Sequence, residues 1–458
     1  MFSNNLKNRL ISKETAGVFF IVGLILVLIL QLVFYQPILV GLAAIIFLIV
    51  IVSFLYNPYA GILILLALRT ATDKIASNYS ISLGRYFSFN ANALLGILVI
   101  GLTLMLVFFA RKKINGSLKI VISFWILYLL LSSLSIVWSI DRLTSIYELF
   151  RISSIFSLLI LGYWITNKKN SEATLKLIIW SAIIPMFFAF YQLITETGMG
   201  RITGLKNRLY GTFSDPNSFA AFVLIIIAIN LFYIVRESQN KSSQNFKKYL
   251  ALSALVVVLL ATFSRGGWLG LLIFAVLLSI FKNPKILFSI IGLLIVIFLT
   301  VEPVRDRLED VYNPPINGSV YWRFEQWSDV YQLYKKKSLT GYGLGTETIV
   351  HEKEFGFNAG NPYTHNDLLK NALESGIGGL ISYFLLLTFT PLVLLFQYFK
   401  NNNLVARNIL LLTALLFIAE AGFSMTSNIQ RSTVIQWIIW FLVGTSLSLC
   451  DLKTKKSA

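Results

Sequence analysis

The sequence predicts an all-α polytopic membrane protein with about 12 to 14 transmembrane helices, and two observations support this prediction. The 458-residue chain is 56% hydrophobic and 13% charged, with a mean hydropathy of +0.74, whereas soluble domains have roughly 25% charged residues. The apolar residues also form many long runs, and a run of about 20 residues is sufficient to cross a bilayer.

The apolar runs give fourteen candidate spans, of which the third is short for a crossing. Lys/Arg-rich connections alternate with connections that have fewer cations. Because Lys and Arg are retained on the cytoplasmic side, we expect the cation-rich connections to be cytoplasmic and, with fourteen spans, both termini as well. The spans are predicted at residues 16–35, 38–56, 58–69, 91–110, 118–138, 145–165, 173–194, 217–235, 249–263, 267–281, 285–301, 373–399, 408–425 and 433–450.

The net charge of +18 is interpreted as this cytoplasmic bias together with attraction to anionic lipid. The expected partner of the basic residues is the lipid bilayer and not nucleic acid, because no nucleic-acid-binding motif accompanies the charge. The single cysteine, Cys450, excludes an intramolecular disulfide and a thiolate metal cluster. "HEKE" at His351 is interpreted as a solvated acidic stretch, so no metal site is expected.

The predicted organisation is one membrane domain with a large outer loop. N-terminal transmembrane helices occupy residues 1–301, the outer loop residues 302–363, and C-terminal transmembrane helices residues 364–458. The loop contains aromatic residues at helical spacing in Val320–Tyr334. Such an amphipathic helix is expected either to lie on the membrane surface or to cap the transmembrane bundle.

The segment "NPYTHNDLLKNALESGIGG" places polar residues where a membrane helix begins. Thr364 followed by Asp367 resembles a capping box, so the helix is predicted to begin near His365. A helix N-terminus disfavours protonated histidine, and a neutral imidazole is able to accept a proton. His365 is therefore a candidate general base. The alternative is a capped helix whose polar first turns lie in water.

A polar stripe and two small residues follow on this helix. Polar residues at membrane depth usually face a bundle interior or a wet cavity, whereas Gly376 and Gly379 would let a second helix or a lipid chain approach closely. A candidate intramembrane ion pair, Glu148 with Arg151, lies three residues apart in another span. The stripe consists of Asp367, Lys370, Asn371 and Glu374.

Cations also precede two predicted helices on the outer side. Arg265 stands before two glycines, whose backbone N–H groups in a tight turn form a candidate phosphate clamp; the alternative is an arginine that reaches lipid headgroups. Arg201, Lys206 and Arg208 precede "SDPN", where Ser214 or Asp215 is expected to cap a helix; ordinary loop charges are the alternative. "LTGYGLGT" is interpreted as a turn-rich shaping loop, because no strand precedes it.

Taken in order, these motifs resemble the O-antigen ligase and polymerase family of bacterial envelope glycan transferases. The resemblance covers about residues 200 to 383 in motifs and the whole chain in hydropathy. The motifs that carry it are "GTFSDPN", "SRGGW", "RFEQW", "GYGLGT" and "HNDLLKNALESGIGGL".

The resemblance implies transfer of a glycan from a polyprenyl-pyrophosphate-linked donor to a glycan or lipid acceptor. The reaction so implied would take place on the outer face of the cytoplasmic membrane, with inversion and with no metal or other cofactor. The implied catalytic residues are His365 and Arg265. Among the other cations, Arg201 competes with Arg208 for its role, and Arg305 or Arg307 competes with Arg323. The implied substrate or pyrophosphate contacts are Arg208, Arg201, Arg323, Asn366 and Asp367.

Ligase and polymerase activities remain open alternatives at this stage. A transporter or flippase of envelope precursors is the alternative from another class, and a non-catalytic scaffold is a third. Transport is disfavoured, because the polar residues cluster on the predicted outer side and no internal repeat of the kind found in transporters is present. The scaffold is disfavoured because it does not explain the polar helix start at His365.

Overall fold

The computed structural model describes residues 12–33, 38–78, 80–83, 87–110, 112–199, 207–237, 244–316, 318–356 and 363–450. In these ranges the chain is mostly helical, with one antiparallel hairpin of β1 (Ser80–Leu83) and β2 (Phe87–Asn90) in which Ser80 pairs with Asn90. The helices up to residue 237 are α1 (Lys13–Val33), α2 (Ile38–Tyr56), α3 (Pro58–Asn78), α4 (Ala91–Ala110), α5 (Gly116–Leu134), α6 (Arg142–Ile165), α7 (Ser171–Trp180), α8 (Ile183–Thr195) and α9 (Pro216–Glu237). Those that follow are α10 (Gln244–Ala261), α11 (Arg265–Phe281), α12 (Lys285–Thr300), α13 (Glu302–Tyr312), α14 (Ser319–Lys336), α15 (Glu347–Phe355), α16 (Asp367–Lys400), α17 (Leu404–Ser424) and α18 (Thr433–Ser448).

The predicted class of all-α polytopic membrane protein is confirmed. Within the described ranges, six helical segments are long and apolar enough to cross a membrane, and other apolar helices are shorter. The number of 12 to 14 spans and the boundaries of the three predicted regions stay predictions. The six segments are Gly116–Trp138, Arg142–Ile165, Ser171–Thr195, Pro216–Arg236, Asp367–Lys400 and Leu404–Ser424.

Four helices form the centre of the bundle: α6, α9, α17 and α18. Most side chains of α9, α17 and α18 are buried. Helices α6 and α18 pack closely because both present glycine at the crossing. A Cβ atom at Gly162 would lie 2.3 Å from the carbonyl oxygen of Phe441, and one at Gly444 would lie 2.1 Å from that of Leu159. Small residues at such crossings let helix backbones approach closely in membranes.

Helix α3 is longer than the predicted span at residues 58–69 and continues to Asn78. Its extension carries a buried ion pair, Arg69 Nη1 to Asp73 Oδ1 at 2.8 Å, which allows two charged side chains to remain inside the protein. The end of α3 holds the chain before α9, because Asp73 accepts a hydrogen bond from the backbone N–H of Ser214 at 3.0 Å.

The predicted outer loop contains the three helices α13, α14 and α15. Of the two expectations for the aromatic helix, the structure shows the cap: the buried residues of α14 are Gln326, Val330 and Leu333, and the last two pack in a small core with Leu373 of α16. The predicted aromatic face is divided, since Val330 is buried whereas Phe324 is exposed.

Helix α16 consists of two helices joined at Gly376, whose φ of 63° and ψ of −160° are not helical. The segment after this break, residues 377–400, is about 36 Å long at 1.5 Å per residue, and this exceeds the roughly 30 Å hydrocarbon core of a bilayer. The polar segment Asp367–Ser375 is therefore not needed for the crossing.

The turn at residues 338–341 approaches this break, where the sequence suggested a second helix or a lipid chain. A Cβ atom at Gly376 would lie 2.4 Å from the carbonyl oxygen of Leu339, and one at Gly341 would lie 2.4 Å from that of Glu374. The backbone N–H of Ile377 donates to Ser338 at 2.7 Å. Glycine is required at both positions, because φ is positive and no space is left for a side chain.

A buried network of charged side chains joins α6 to the start of α16. The predicted pair of Glu148 and Arg151 is present, with Arg151 Nε 2.7 Å from Glu148 Oε2. Lys370 Nζ donates to Glu148 at 3.2 Å and to Glu374 at 2.7 Å, and neither Lys370 nor Glu374 is exposed. The polar stripe therefore faces the bundle interior, as its spacing indicates, and its charges are paired with those of α6.

We expect the substitution Lys370→Met to destabilise the protein by about 3–5 kcal/mol, because it leaves two buried carboxylates without their shared cation. The double variant Lys370→Met/Glu374→Leu should recover part of this loss. Thermal unfolding in detergent measures the effect, with Lys400→Met at the exposed end of the same helix as the control. Equal midpoints for the Lys370 and Lys400 variants would contradict the proposed contribution.

Replacing Gly341 by alanine should lower the unfolding midpoint by an amount equivalent to about 1–3 kcal/mol, because the backbone at φ 68° is unfavourable for alanine and the added Cβ meets Glu374. The matched control is Gly101→Ala in α4, where a Cβ meets no atom within 4 Å. A variant at Gly341 that unfolds at the temperature of the control would show that the turn has room to relax.

Candidate active site

Four arginines from four separate segments converge at one place: Arg208, Arg265, Arg307 and Arg323. Burial and then repulsion from Arg307 lower the pKa of Arg323 to about 10. The pKa of Arg208 falls to about 10 from burial and from repulsion by Arg307 and Arg323, against the attraction of Asp215. Asp310 is also near the group, 3.2 Å from Arg307 and 4.0 Å from Arg265. In the part of the chain that the structure describes, four guanidiniums are thus accompanied by the carboxylates of Asp215 and Asp310, and the cluster keeps excess positive charge.

Arg208 is fixed by neutral hydrogen-bond acceptors. Its Nε donates to the carbonyl of Thr262 at 2.8 Å, and its Nη2 donates to Asn217 Oδ1 at 3.1 Å. The following residue, Leu209, donates its backbone N–H to the carbonyl of Ala261 at 3.1 Å. These bonds hold the segment before α9 against the turn between α10 and α11. Asp215 caps α9 as expected, with Oδ1 accepting from the N–H groups of Asn217 and Ser218.

Arg265 is the first residue of α11, and its guanidinium reaches the outer-loop helices. Nη2 donates to Ser319 Oγ at 2.6 Å and Nη1 to the carbonyl of Arg307 at 3.3 Å. The predicted phosphate clamp combined the Arg265 guanidinium with backbone N–H groups of Gly266 and Gly267, and it stays a prediction. Both glycines are buried inside the first turn, where they let Phe423 and Ala220 pack closely, and the N–H of Gly267 donates to the cap Ser264.

His365 lies immediately before α16 in the left-handed backbone conformation, with φ of 49°. Its ring is 5.2 Å from that of Trp322 between centroids, and the side chain is half-buried. Burial, followed by repulsion from Arg323, Arg208 and Arg431, lowers the pKa of His365 well below its ordinary value of 6.5. Among the described residues, its buried Nδ1 has no hydrogen-bond partner. The neutral imidazole is the form able to accept a proton.

The predicted capping box is wrong, because the helix begins two residues after His365. Asn366 is the cap, and its Oδ1 accepts from the N–H groups of Leu368 at 3.0 Å and Leu369 at 3.1 Å. The carboxylate of Asp367 is fully buried and accepts the N–H of Gln430 at 2.8 Å. Asn366 thus stabilises the helix start and Asp367 ties it to Gln430, while the contacts of these two residues with substrate stay a prediction.

The remaining predicted cations lie in different places. Arg201 lies outside the described residues. Of the two competitors of Arg323, Arg307 belongs to the cluster, whereas Arg305 is exposed and lies 3.8 Å from Glu302 and 3.9 Å from Glu309. The cluster therefore contains both Arg307 and Arg323. The sequence pattern left this choice open, because the two arginines of α13 are only two residues apart.

Glu352, Lys353 and Glu354 are exposed, as expected for a solvated acidic stretch. His351 departs from this expectation, because it is buried beside Asp329, with Nε2 3.6 Å from Oδ2. Within the described part of the chain, no group of three or more His, Cys, Asp and Glu side chains is arranged to hold a metal ion. The chemistry that the site offers is anion binding by guanidinium groups beside a neutral imidazole.

Comparison with known proteins gives one result that bears on this site. Residues 249–384 match the family model described as O-antigen ligase. The matched segment runs from α10 into α16 and includes Arg265, Arg307, Arg323 and His365. No curated protein matches the chain. The resemblance inferred from the motifs is thereby confirmed for this segment, and the chain is a multi-pass membrane protein whose residues 249–384 match an O-antigen ligase domain.

Proposed function

We propose that the protein transfers a glycan from a polyprenyl pyrophosphate to an acceptor hydroxyl on the outer face of the cytoplasmic membrane. The family match supports a membrane enzyme that transfers glycans in the manner of a ligase or polymerase. The observation that carries the finer proposal is the meeting of four arginines with a neutral histidine at one place. Cations for a diphosphate and a base for a hydroxyl are the two requirements of such a transfer.

The arginine cluster suits a diphosphate donor in both charge and geometry. A polyprenyl diphosphate sugar is a diester with two negative charges, which would balance the excess positive charge of the cluster. Planar guanidiniums bind phosphate oxygens through two parallel hydrogen bonds. When the bond between the anomeric carbon and the phosphate oxygen breaks, negative charge grows on that oxygen, and fixed cations stabilise this charge more strongly than that of the donor.

His365 supplies the proton acceptor for the other reactant. The acceptor hydroxyl oxygen attacks the anomeric carbon from the face opposite to the diphosphate, and its proton moves to the imidazole. The polyprenyl diphosphate leaves with the electron pair of the broken bond, so the anomeric configuration inverts. Trp322 packs beside the imidazole and restricts the directions from which an acceptor reaches it.

The chain orientation in this proposal rests on the charge of the connections. Lys/Arg-rich connections on the cytoplasmic side would place residues 302–363, and with them the arginine cluster, on the outer side. Both termini would then be cytoplasmic. The proposed donor and acceptor are lipid-anchored or glycan molecules of that surface.

Replacing His365 by alanine should reduce glycan transfer by about 10²–10⁴-fold, because the hydroxyl loses its general base. Replacing Arg265 by alanine should reduce it by about 10²–10³-fold, because charge on the leaving oxygen is less stabilised. The assay uses purified protein in nanodiscs with lipid-linked oligosaccharides, and transfer is followed by gel and mass spectrometry. Arg305→Gln, an exposed arginine outside the cluster, is the matched control.

The products of this assay separate the alternative activities. Longer lipid-linked chains identify a polymerase, and glycan on a different acceptor identifies a ligase. Full activity of His365→Ala would exclude this residue as the base. Absence of transfer, together with flipping or uptake of the lipid-linked glycan in vesicles, would replace the proposed function by transport.

The rate of transfer should stay constant as the pH falls through about 6.5, the ordinary pKa of histidine, and decline only at lower pH. The reason is that a general base works in its neutral form, and the pKa of His365 is lowered by burial and by nearby arginines. Arg323→Gln removes one of these positive charges and should move the decline to higher pH. An identical pH profile of kcat/KM in wild type and Arg323→Gln would contradict this electrostatic coupling.

A further inference from the structure

We propose that the buried carboxylate of Glu347 is a positioning residue that holds His365 in its reactive orientation. This inference rests on the proposed function, because it assigns a support to the base of that reaction. The segment that Glu347 holds is Tyr363–Asn366, here termed the histidine segment. Three elements contact it: α15 through Glu347, α14 through Trp327, and the short 3-10 helix Ile429–Arg431 through Arg431.

Glu347 makes all of its contacts while completely buried. Its Oε1 accepts hydrogen bonds from both the backbone N–H and the side-chain hydroxyl of Thr364. Its Oε2 accepts from Arg431 Nη1 at 3.1 Å, and the carboxylate itself has no exposed surface. An ionised carboxylate is a pure acceptor and therefore matches three donors. A buried charge in this position is stable because a cation pairs with it and hydrogen bonds satisfy its oxygens.

Arg431 extends the support to the residue before Thr364. Its guanidinium lies over the ring of Tyr363, with the central carbon 3.9 Å from the ring centroid. A guanidinium at this distance from an aromatic ring is attracted to its face. One cation therefore contacts the carboxylate that binds Thr364 and the ring that precedes Thr364, so Tyr363 and Thr364 are held by the same pair of charges.

Two further contacts hold the histidine segment, one at the carbonyl of Thr364 and one at Asn366. Trp327 Nε1 donates to the carbonyl of Thr364 at 2.7 Å, and Asn366 is bound to α16 as its cap. His365 stands between these anchors with φ of 49°, a conformation that non-glycine residues keep only when the surrounding structure imposes it. Thr364 bears the contacts that impose it, and Glu347 provides two of them.

Removal of the Glu347 contacts is expected to displace His365 without weakening the binding of the donor. The hydrogen bonds of Arg208, Arg265 and Arg307 do not involve Glu347, so we expect the arginine cluster to stay in place without it. Their acceptors are Thr262, Asn217, Ser319, the carbonyl of Arg307 and Asp310. A displacement of about 1 Å at a catalytic group costs roughly 10²-fold in rate. Loss of the Glu347 contacts should therefore reduce kcat for transfer by about 10²-fold and leave the KM for the donor unchanged.

The experiment compares two ways of removing the contact with two matched controls. Glu347→Gln keeps the shape of the side chain and replaces one acceptor oxygen by a donor NH₂ group. Thr364→Val removes the hydroxyl at nearly constant volume, without any change of charge. Thr364→Ser keeps the hydroxyl and should behave as wild type. Glu352→Gln, at an exposed position of the same helix, controls for loss of a negative charge on α15.

A readout independent of transfer is the reaction of His365 with diethyl pyrocarbonate, which modifies neutral and accessible imidazole. Cleavage by trypsin after Lys353 and Lys370 places His365 on a different peptide from His351, so mass spectrometry follows each histidine separately. In wild type and both controls, modification of His365 should be slow and nearly constant from pH 8 to below pH 6.5. In Glu347→Gln and Thr364→Val, modification of His365 should be several-fold faster at pH 8, and its rate should decline as the pH falls through about 6.5.

The direction of this shift distinguishes movement from electrostatics. Removal of a negative charge alone would lower the pKa of His365 further. A higher pKa of His365 in Glu347→Gln would therefore show that the imidazole has moved away from its buried position beside the arginines. Wild-type labelling and wild-type kcat in both Glu347→Gln and Thr364→Val would overturn the proposal. If wild type transfers no glycan with any lipid-linked donor, the proposed function fails, while the labelling still decides whether Glu347 holds His365.

Discussion

The side of the molecule on which α13, α14 and α15 lie depends on one buried ammonium group, Lys370 Nζ, which lies between carboxylates of two helices. It joins Glu148 of α6 to Glu374 of α16, and Arg151 continues the connection to the carbonyl of Gln430 at 2.6 Å. In a low-dielectric interior such charges attract strongly but are costly to bury. Their pairing fixes where α16 starts relative to α6, and this start is where His365 and Asn366 lie.

The arginines of the cluster are held differently, by partners that leave most of their positive charge uncompensated. The bonds that orient Arg208 and Arg265 end mainly on carbonyl, hydroxyl and amide oxygens: those of Thr262, Asn217 and Ser319. Neutral acceptors hold a guanidinium in place without cancelling its charge. Buried charges that build the structure are thus paired with carboxylates, whereas the charges proposed to meet a diphosphate are only partly neutralised. Arginine serves in both places: Arg151 is paired with a carboxylate, whereas Arg208 and Arg265 are held mainly by neutral oxygens.

Local sequence patterns predicted a large part of this structure. Apolar runs gave the membrane class, and the order of the motifs gave the family. The i,i+3 spacing gave the pair of Glu148 and Arg151, and the helical stripe gave the inward face of α16. These features depend on residues close together in the chain, where periodicity and charge spacing are informative.

The features that the sequence could not supply depend on contacts between distant segments. The cap at Asn366 replaced that at Thr364 because Glu347, 17 residues away, already binds the Thr364 hydroxyl. The two glycines after Arg265 proved to be packing residues because Phe423 and Ala220 of other helices occupy the space beside them. That Arg307 belongs to the cluster could not be predicted without the position of α13 relative to α11. Long-range juxtapositions of this kind leave no periodic signal along the chain.

The break at Gly376 also bears on which substitutions the chain tolerates. Near it, the carbonyls of Leu373 and Glu374 accept hydrogen bonds from the backbone N–H groups of Tyr342 and Gly343, at 3.0 and 2.9 Å. The glycine-rich turn is thus joined to the helix through main-chain atoms, which every residue type shares. Substitution of the neighbouring side chains would leave these main-chain hydrogen bonds in place, provided that the glycines are kept. The backbone conformation of the turn should therefore tolerate changes in the sequence around the glycines.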